Sequence, residues 1–136
     1  MMKIIRTTHD DKYTQFTLGD LIRAIEKYDI PNDDGSYKEV VFDFGSTAPS
    51  GIHSWRGDYS ELAIDYKDEH EITSDKFLAM LTDAVGKTFE GWKGGNYFMF
   101  LDTPLWVAHR NIAGETGIVG VVDGFNIVIQ TAHITY

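Results

Sequence analysis

The chain has no cysteine, which rules out a disulfide framework, a thiolate nucleophile and a cysteine-based zinc site. Long hydrophobic runs are missing too. No stretch approaches the ~20 apolar residues that span a bilayer, and the opening Met1-Met2-Lys3-Ile4-Ile5-Arg6 lacks the apolar core of a secretion signal. A cytoplasmic location with no membrane partner is the expectation. Positive charge is in deficit, with 12 Lys and Arg against 21 Asp and Glu and a net charge of −9. Binding to DNA or RNA rests on many clustered cations, so a nucleic-acid polymer is not an expected partner. A small phosphate ligand stays open, because two or three cations in a pocket outweigh a distant field screened beyond about 8 Å.

Recognisable catalytic patterns are also missing. His9, His53, His70, His109 and His133 fall in no hydrolase order with a nucleophile elbow. His9-Asp10-Asp11 resembles a fragment of a metal phosphohydrolase, but the further ligands of such a site follow no pattern. His70 sits among Asp68, Glu69 and Glu71, whose adjacency on one loop makes a poor metal shell. Gly114-Glu115-Thr116-Gly117 is too short for a phosphate loop and lacks the strand-turn-helix context. The reading expects no catalytic residue, no metal and no cofactor.

What is present describes one globular domain. The 136 residues, 43% hydrophobic and 24% charged, suffice to bury about two-thirds of the chain's surface. Thr17 with Asp20 forms a capping-box pair ahead of Leu18, Leu21, Ile22 and Ile25, which predicts a helix over 18–28 that ends before Pro31. Asn32-Asp33-Asp34-Gly35-Ser36 reads as a turn. Residues 38–44 alternate as a strand with Val40, Phe42 and Phe44 on one face, and 45–51 reads as a flexible loop. Residues 52–66 read as a strand pair, or as one strand broken by a bulge at Gly57, and the acidic run 65–71 as a solvated loop. Ser74 is the expected cap of a second helix, 74–85, with Phe77, Leu78, Leu81, Ala84 and Val85 buried and Gly86 as its stop. Short strands follow at 88–92, 96–101, 105–109 and 117–122. Asp123-Gly124 suggests a type I′ hairpin turn into a last strand, 125–135, with Phe125, Ile127 and Ile129 on one side. Phe98 and Phe100 alternate with Tyr97 and Met99, so one pair faces the core and the other a cleft. The fold class predicted is α+β, two helices on a largely antiparallel sheet.

Two stretches repeat one local pattern. His53-Ser54-Trp55-Arg56-Gly57-Asp58-Tyr59 and Phe89-Glu90-Gly91-Trp92-Lys93-Gly94-Gly95-Asn96-Tyr97 each place a cation after an indole and before glycine. Glycine lets a ligand approach main-chain N–H groups, an aromatic face stacks on a base, and Arg or Lys meets a phosphate. Read this way, Trp92 or Tyr59 stacks on adenine, Arg56 and Lys93 neutralise a diphosphate, and Asn96, Arg110 or Asn111 orient ribose hydroxyls. Trp55 and Trp106 complete the candidate set. The same residues are also ordinary turn and strand-flank material, Trp106 fits a core as well as a site, and Arg56-Gly57-Asp58 spells an adhesion tripeptide with no other extracellular signal beside it.

Phe42-x-Phe44, Ser54-Trp55-Arg56-Gly57-x-Tyr59-x-Glu61-Leu62-Ala63, Gly86-Lys87-x-Phe89-x-Gly91-x-Lys93-Gly94-Gly95 and Thr103-Pro104-x-Trp106-Val107 resemble blocks of small proteins from tailed bacteriophages. The resemblance spans residues 40–122 and is nearest to signal-sequestering proteins of the Thoeris anti-defence kind, whose relatives by role are the anti-CBASS sponges. It implies a homo-oligomer that binds a cyclic ADP-ribose isomer, or cyclic oligonucleotides, in the host cytoplasm without cleaving it. Two other functions fit the residues: an acidic inhibitor covering a basic site on a host nuclease or nucleic-acid-binding protein, and a nucleotide-cleaving enzyme.

Overall fold

A computed structural model describes residues 14–54, 61–90, 95–108 and 116–134. The order is α1 (Leu18–Tyr28), β1 (Val40–Phe42), β2 (Thr47–Ser54), β3 (Leu62–Asp68), α2 (Ser74–Ala84), β4 (Thr88–Glu90), β5 (Asn96–Phe98), β6 (Leu105–Val107), β7 (Thr116–Asp123) and β8 (Ile127–His133). This is an α+β fold. Six strands form one mixed sheet in the order β1-β8-β7-β6-β3-β2, and β4 and β5 pair separately. β1 runs parallel to β8 and β3 to β6, while the other pairs are antiparallel.

The first helix begins where its capping box places it. Thr17 Oγ1 accepts from the Asp20 N–H at 3.2 Å, and the Asp20 carboxylate accepts from the Thr17 N–H at 2.9 Å. Leu18, Leu21, Ile22 and Ile25 are buried at helical spacing. The second helix starts at Ser74, where the sequence reading begins it, but its cap lies one residue before the expected one. Thr73 is the N-cap residue, and Ser74 Oγ donates instead to Asp29 Oδ1 at 2.7 Å, joining the end of α1 to the start of α2. Gly86, at φ +76°, ends that helix in the left-handed conformation glycine tolerates.

The edge strands β1 and β2 are consecutive in the chain, and this forces the sheet to roll. Six flat strands at about 4.8 Å spacing span about 24 Å, whereas the link 43–46 reaches no more than about 18 Å. Phe42 of β1 therefore meets Tyr66 of β3 edge-on at 6.3 Å, and Phe44 stacks on Phe42 at 5.1 Å. Residues 69–74 stitch across the remaining gap. The Glu69 N–H donates to Ser46 O, the Val40 N–H to Ile72 O, and the Ser74 N–H to Lys38 O. Both helices pack on the sheet face that carries Leu62, Ile64, Leu105, Val107, Ile118, Ile127 and Ile129. The opposite face carries a smaller buried cluster, Ala63, Trp106, Ala108, Val119 and Ile134.

Several boundaries differ from the sequence reading, each for a local reason. The stretch expected as a loop, 45–51, is turn only at Gly45-Ser46, and β2 starts at Thr47. Proline lacks an N–H and so suits an edge strand, and a register shift between Pro49 and Gly51 absorbs the irregularity. Asp65 to Asp68, read as loop, belong to β3 because they pair with Thr47 to Gly51. The hairpin at Asp123 forms, but with three residues between its last pair, Asp123↔Ile127, and with Gly124 outside the positive φ region that a type I′ turn requires. Phe125 consequently sits in the turn at 95% exposure, not on the buried side with Ile127 and Ile129.

β6 meets β7 at a single pair, Trp106↔Gly117. Below it, the segment before α1 slips between the two strands. The Phe16 N–H donates to Ile118 O at 2.7 Å, and the Leu105 N–H donates to Phe16 O at 3.0 Å.

Candidate functional site

Each tryptophan-cation-glycine element occupies the connection of an antiparallel hairpin. Ser54 pairs with Leu62 at the mouth of β2–β3, and Glu90 pairs with Asn96 at the mouth of β4–β5. Trp55, Arg56, Tyr59, Trp92, Lys93, Arg110 and Asn111 themselves lie outside the described residues, as do residues 1–13 with His9-Asp10-Asp11. Their neighbours in the chain fix where each connection is anchored.

The Leu62 anchor lies near the base of β4–β5, whereas the connection of that hairpin leaves from Glu90↔Asn96, at its other end. The Leu62 N–H, the entry to β3, donates to Pro104 O at 3.1 Å. Met99 closes the base of β4–β5, donating to Lys87 O and accepting from the Gly86 N–H. Between Met99 and Pro104 the chain makes one tight turn, in which Thr103 Oγ1 accepts from the Phe100 N–H at 2.8 Å. β4 also packs beside β2. The third anchor is elsewhere. Ala108, whose N–H donates to Ile64 O, ends β6 at the opposite end of its pairing with β3. The stretch leading to Arg110 and Asn111 thus leaves about 10 Å along the strand from the Leu62 anchor.

Two candidate residues are described directly. Trp106 is fully buried, and its Nε1–H donates to Glu61 Oε1 at 2.9 Å. Its indole offers no face to a ligand in this packing. Asn96 opens β5 as an exposed residue opposite Glu90. From it the strand alternates: Tyr97 and Met99 pack toward the core, and Phe98 and Phe100 face outward.

The sequence reading missed one pairing beside the first element. His53 Nδ1 lies 3.1 Å from Asp65 Oδ2. Gly51 makes room for it, since a Cβ there would stand 3.2 Å from the same oxygen. Asp65 read as part of an acidic loop, and only the diagonal register of β2 against β3 brings it to His53.

Other places are less suited to an anion. The first N–H groups of α1 are taken, by Thr103 O for Leu18 and by Leu101 O for Gly19. A hollow of about 710 Å³ at the end of α1 is lined by Lys27, Tyr28, Ile30, Lys38 and Asp123, but Lys38 Nζ already donates to Asp123 Oδ1 and Gly124 O. A second hollow, of about 430 Å³, lies over the seam between β1 and β2 and is lined by Glu39, Glu69, His70 and Glu71. Among the described residues no group of three or more His, Asp or Glu is placed to hold a metal ion. No helix there is long and apolar enough to cross a membrane. No family model, curated protein or solved structure matches this chain.

Proposed function

We propose that the protein captures a small nucleotide signal, a cyclic ADP-ribose isomer or a cyclic oligonucleotide, and holds it intact in the cytoplasm of an infected cell. One observation supports this reading: both elements fall in hairpin connections, after Ser54↔Leu62 and after Glu90↔Asn96, and strand β4 of the second hairpin packs beside β2 of the first. The two connections carry two indoles and two cations in sequence, side chains that suit a ligand with a flat base and a charged diphosphate. The resemblance to phage sponges supports the same role. Arg110 and Asn111 follow Ala108 in the chain, beyond the end of β6 that is away from Leu62.

Sequestration sets a thermodynamic requirement. Free signal must fall below the threshold of the host effector, which asks for a dissociation constant near nanomolar, about −12 kcal/mol. Heat-denaturing the loaded protein and analysing what it releases tests the reading, since sequestration returns the ligand unchanged and a nucleotide-cleaving enzyme returns fragments.

The acidic hollow over the seam favours a second reading. Glu39, Glu69 and Glu71 present carboxylates on one side of the molecule, as an inhibitor of a basic protein would. Such a protein would recover a stoichiometric partner from host lysate and show no change in melting temperature with nucleotides.

A further inference from the structure

We infer that the outward face of the β4–β5 hairpin is the stacking ledge for the ligand's base, with Phe98 and Phe100 as the ring-bearing residues. This deepens the nucleotide reading and rests on it. The two rings are 6.1 Å apart at an interplanar angle of 16°, a stacked pair that a further flat ring can extend. They do so in the open: Phe98 is 59% exposed and Phe100 46%, with Leu101 beside them at 40%. Alternation along the strand puts Asn96 on this same face, and the register brings Glu90 opposite Asn96 and Thr88 opposite Phe98. The opposite face, with Phe89, Tyr97 and Met99, packs on the core, so the exposed rings are not half of an unfinished interior.

Size and chemistry select the occupant. With about 200 Å² per aromatic side chain, the exposed parts of these residues amount to roughly 300 Å², well below the ~800 Å² per partner of a stable protein interface. A purine needs no more. Flat heteroaromatic rings stack on aromatic faces whatever their substituents, and a purine edge offers donors and acceptors that an amide and a carboxylate can meet, groups that Asn96 and Glu90 carry at the end of this hairpin. In the sequence, the connection that begins after Glu90 carries Trp92 and Lys93.

The test is calorimetric titration of the full chain with cyclic ADP-ribose and cyclic di-AMP, for wild type, for Phe98→Ser with Phe100→Ser, and for Phe98→Tyr with Phe100→Tyr. Both residues are exposed, so unchanged melting curves are expected and are checked first. The ledge predicts at least tenfold weaker binding for the serine pair and near wild-type binding for the tyrosine pair. Equal affinity in wild type and the serine pair overturns the ledge and leaves nucleotide capture standing. Equal affinity with a fall in mass in solution assigns the face to contact between copies and overturns it as well. No binding of either probe by wild type overturns the ledge as a site for these two ligands, and no binding across cyclic ADP-ribose isomers and cyclic di- and trinucleotides overturns nucleotide capture as well.

Discussion

A Cβ built on Gly117 would lie 2.5 Å from Cγ1 of Ile134, closer than side-chain carbons pack. The two residues sit on the face of the sheet that also holds Trp106, and Ile134 is fully buried there. Gly117→Ala must therefore push Ile134 or shift β7. The expected cost is about 1–3 kcal/mol, read as a lower urea midpoint with an unchanged slope. A neutral substitution would mean that this face is looser than its packing implies.

Thr17 caps α1 from a buried position, with both arms of the box formed. Thr17→Ala removes the acceptor for the Asp20 N–H and is expected to cost about 1 kcal/mol. Thr17→Ser keeps the hydroxyl and should recover most of that in the same unfolding assay.

Those two predictions draw on what was and was not legible in the sequence. The helix over 18–28 could be read because capping chemistry and a 3.6-residue apolar period are both local signals. β2 could not, since Pro49, Ser50 and Gly51 carry loop chemistry and become strand only because an edge position and a bulge accommodate them. Asp65 looked solvated for the same reason, its partner His53 being brought near only by register. At the candidate site, the sequence identified the two indole-cation elements but could not tell a stacking tryptophan from a packing one. Trp106 is the packing kind: an apolar ring with a polar tip satisfies a core and a cleft equally until neighbours are known.

Trp106→Phe separates these roles. It removes the Nε1–H bond to Glu61 and part of a fully buried side chain, which should cost roughly 1–3 kcal/mol of stability. Nucleotide affinity at a temperature where the variant is folded should not change. A selective loss of affinity with stability intact would return Trp106 to the ligand.

Asp75 gives a pH signature. Its carboxylate is held below the usual value of 3.8, chiefly by the hydroxyl of Thr73 that donates to it; burial opposes this, and backbone N–H groups and Lys76 add to the lowering. A depressed folded pKa contributes stability that is fully present above the unfolded value and lost as pH falls through the folded one. The carboxyl carbon of Asp75, followed by NMR, should titrate below 3.8. Thr73→Val should move that midpoint upward, while Asp34, lowered by Ser36, stays where it is.

Arg56 and Lys93 are the cations the proposed pocket requires. Replacing either by alanine should weaken nucleotide binding about tenfold or more, as a charged hydrogen bond is worth roughly 1.5–3 kcal/mol. Lys76→Ala, on the exposed side of α2, is the control and should leave affinity alone.

The account stands most directly on calorimetry of the wild-type chain with cyclic ADP-ribose isomers and cyclic di- and trinucleotides. It predicts saturable, near-nanomolar binding of at least one of them and its release intact on denaturation. Flat thermograms with every one of these ligands would contradict it.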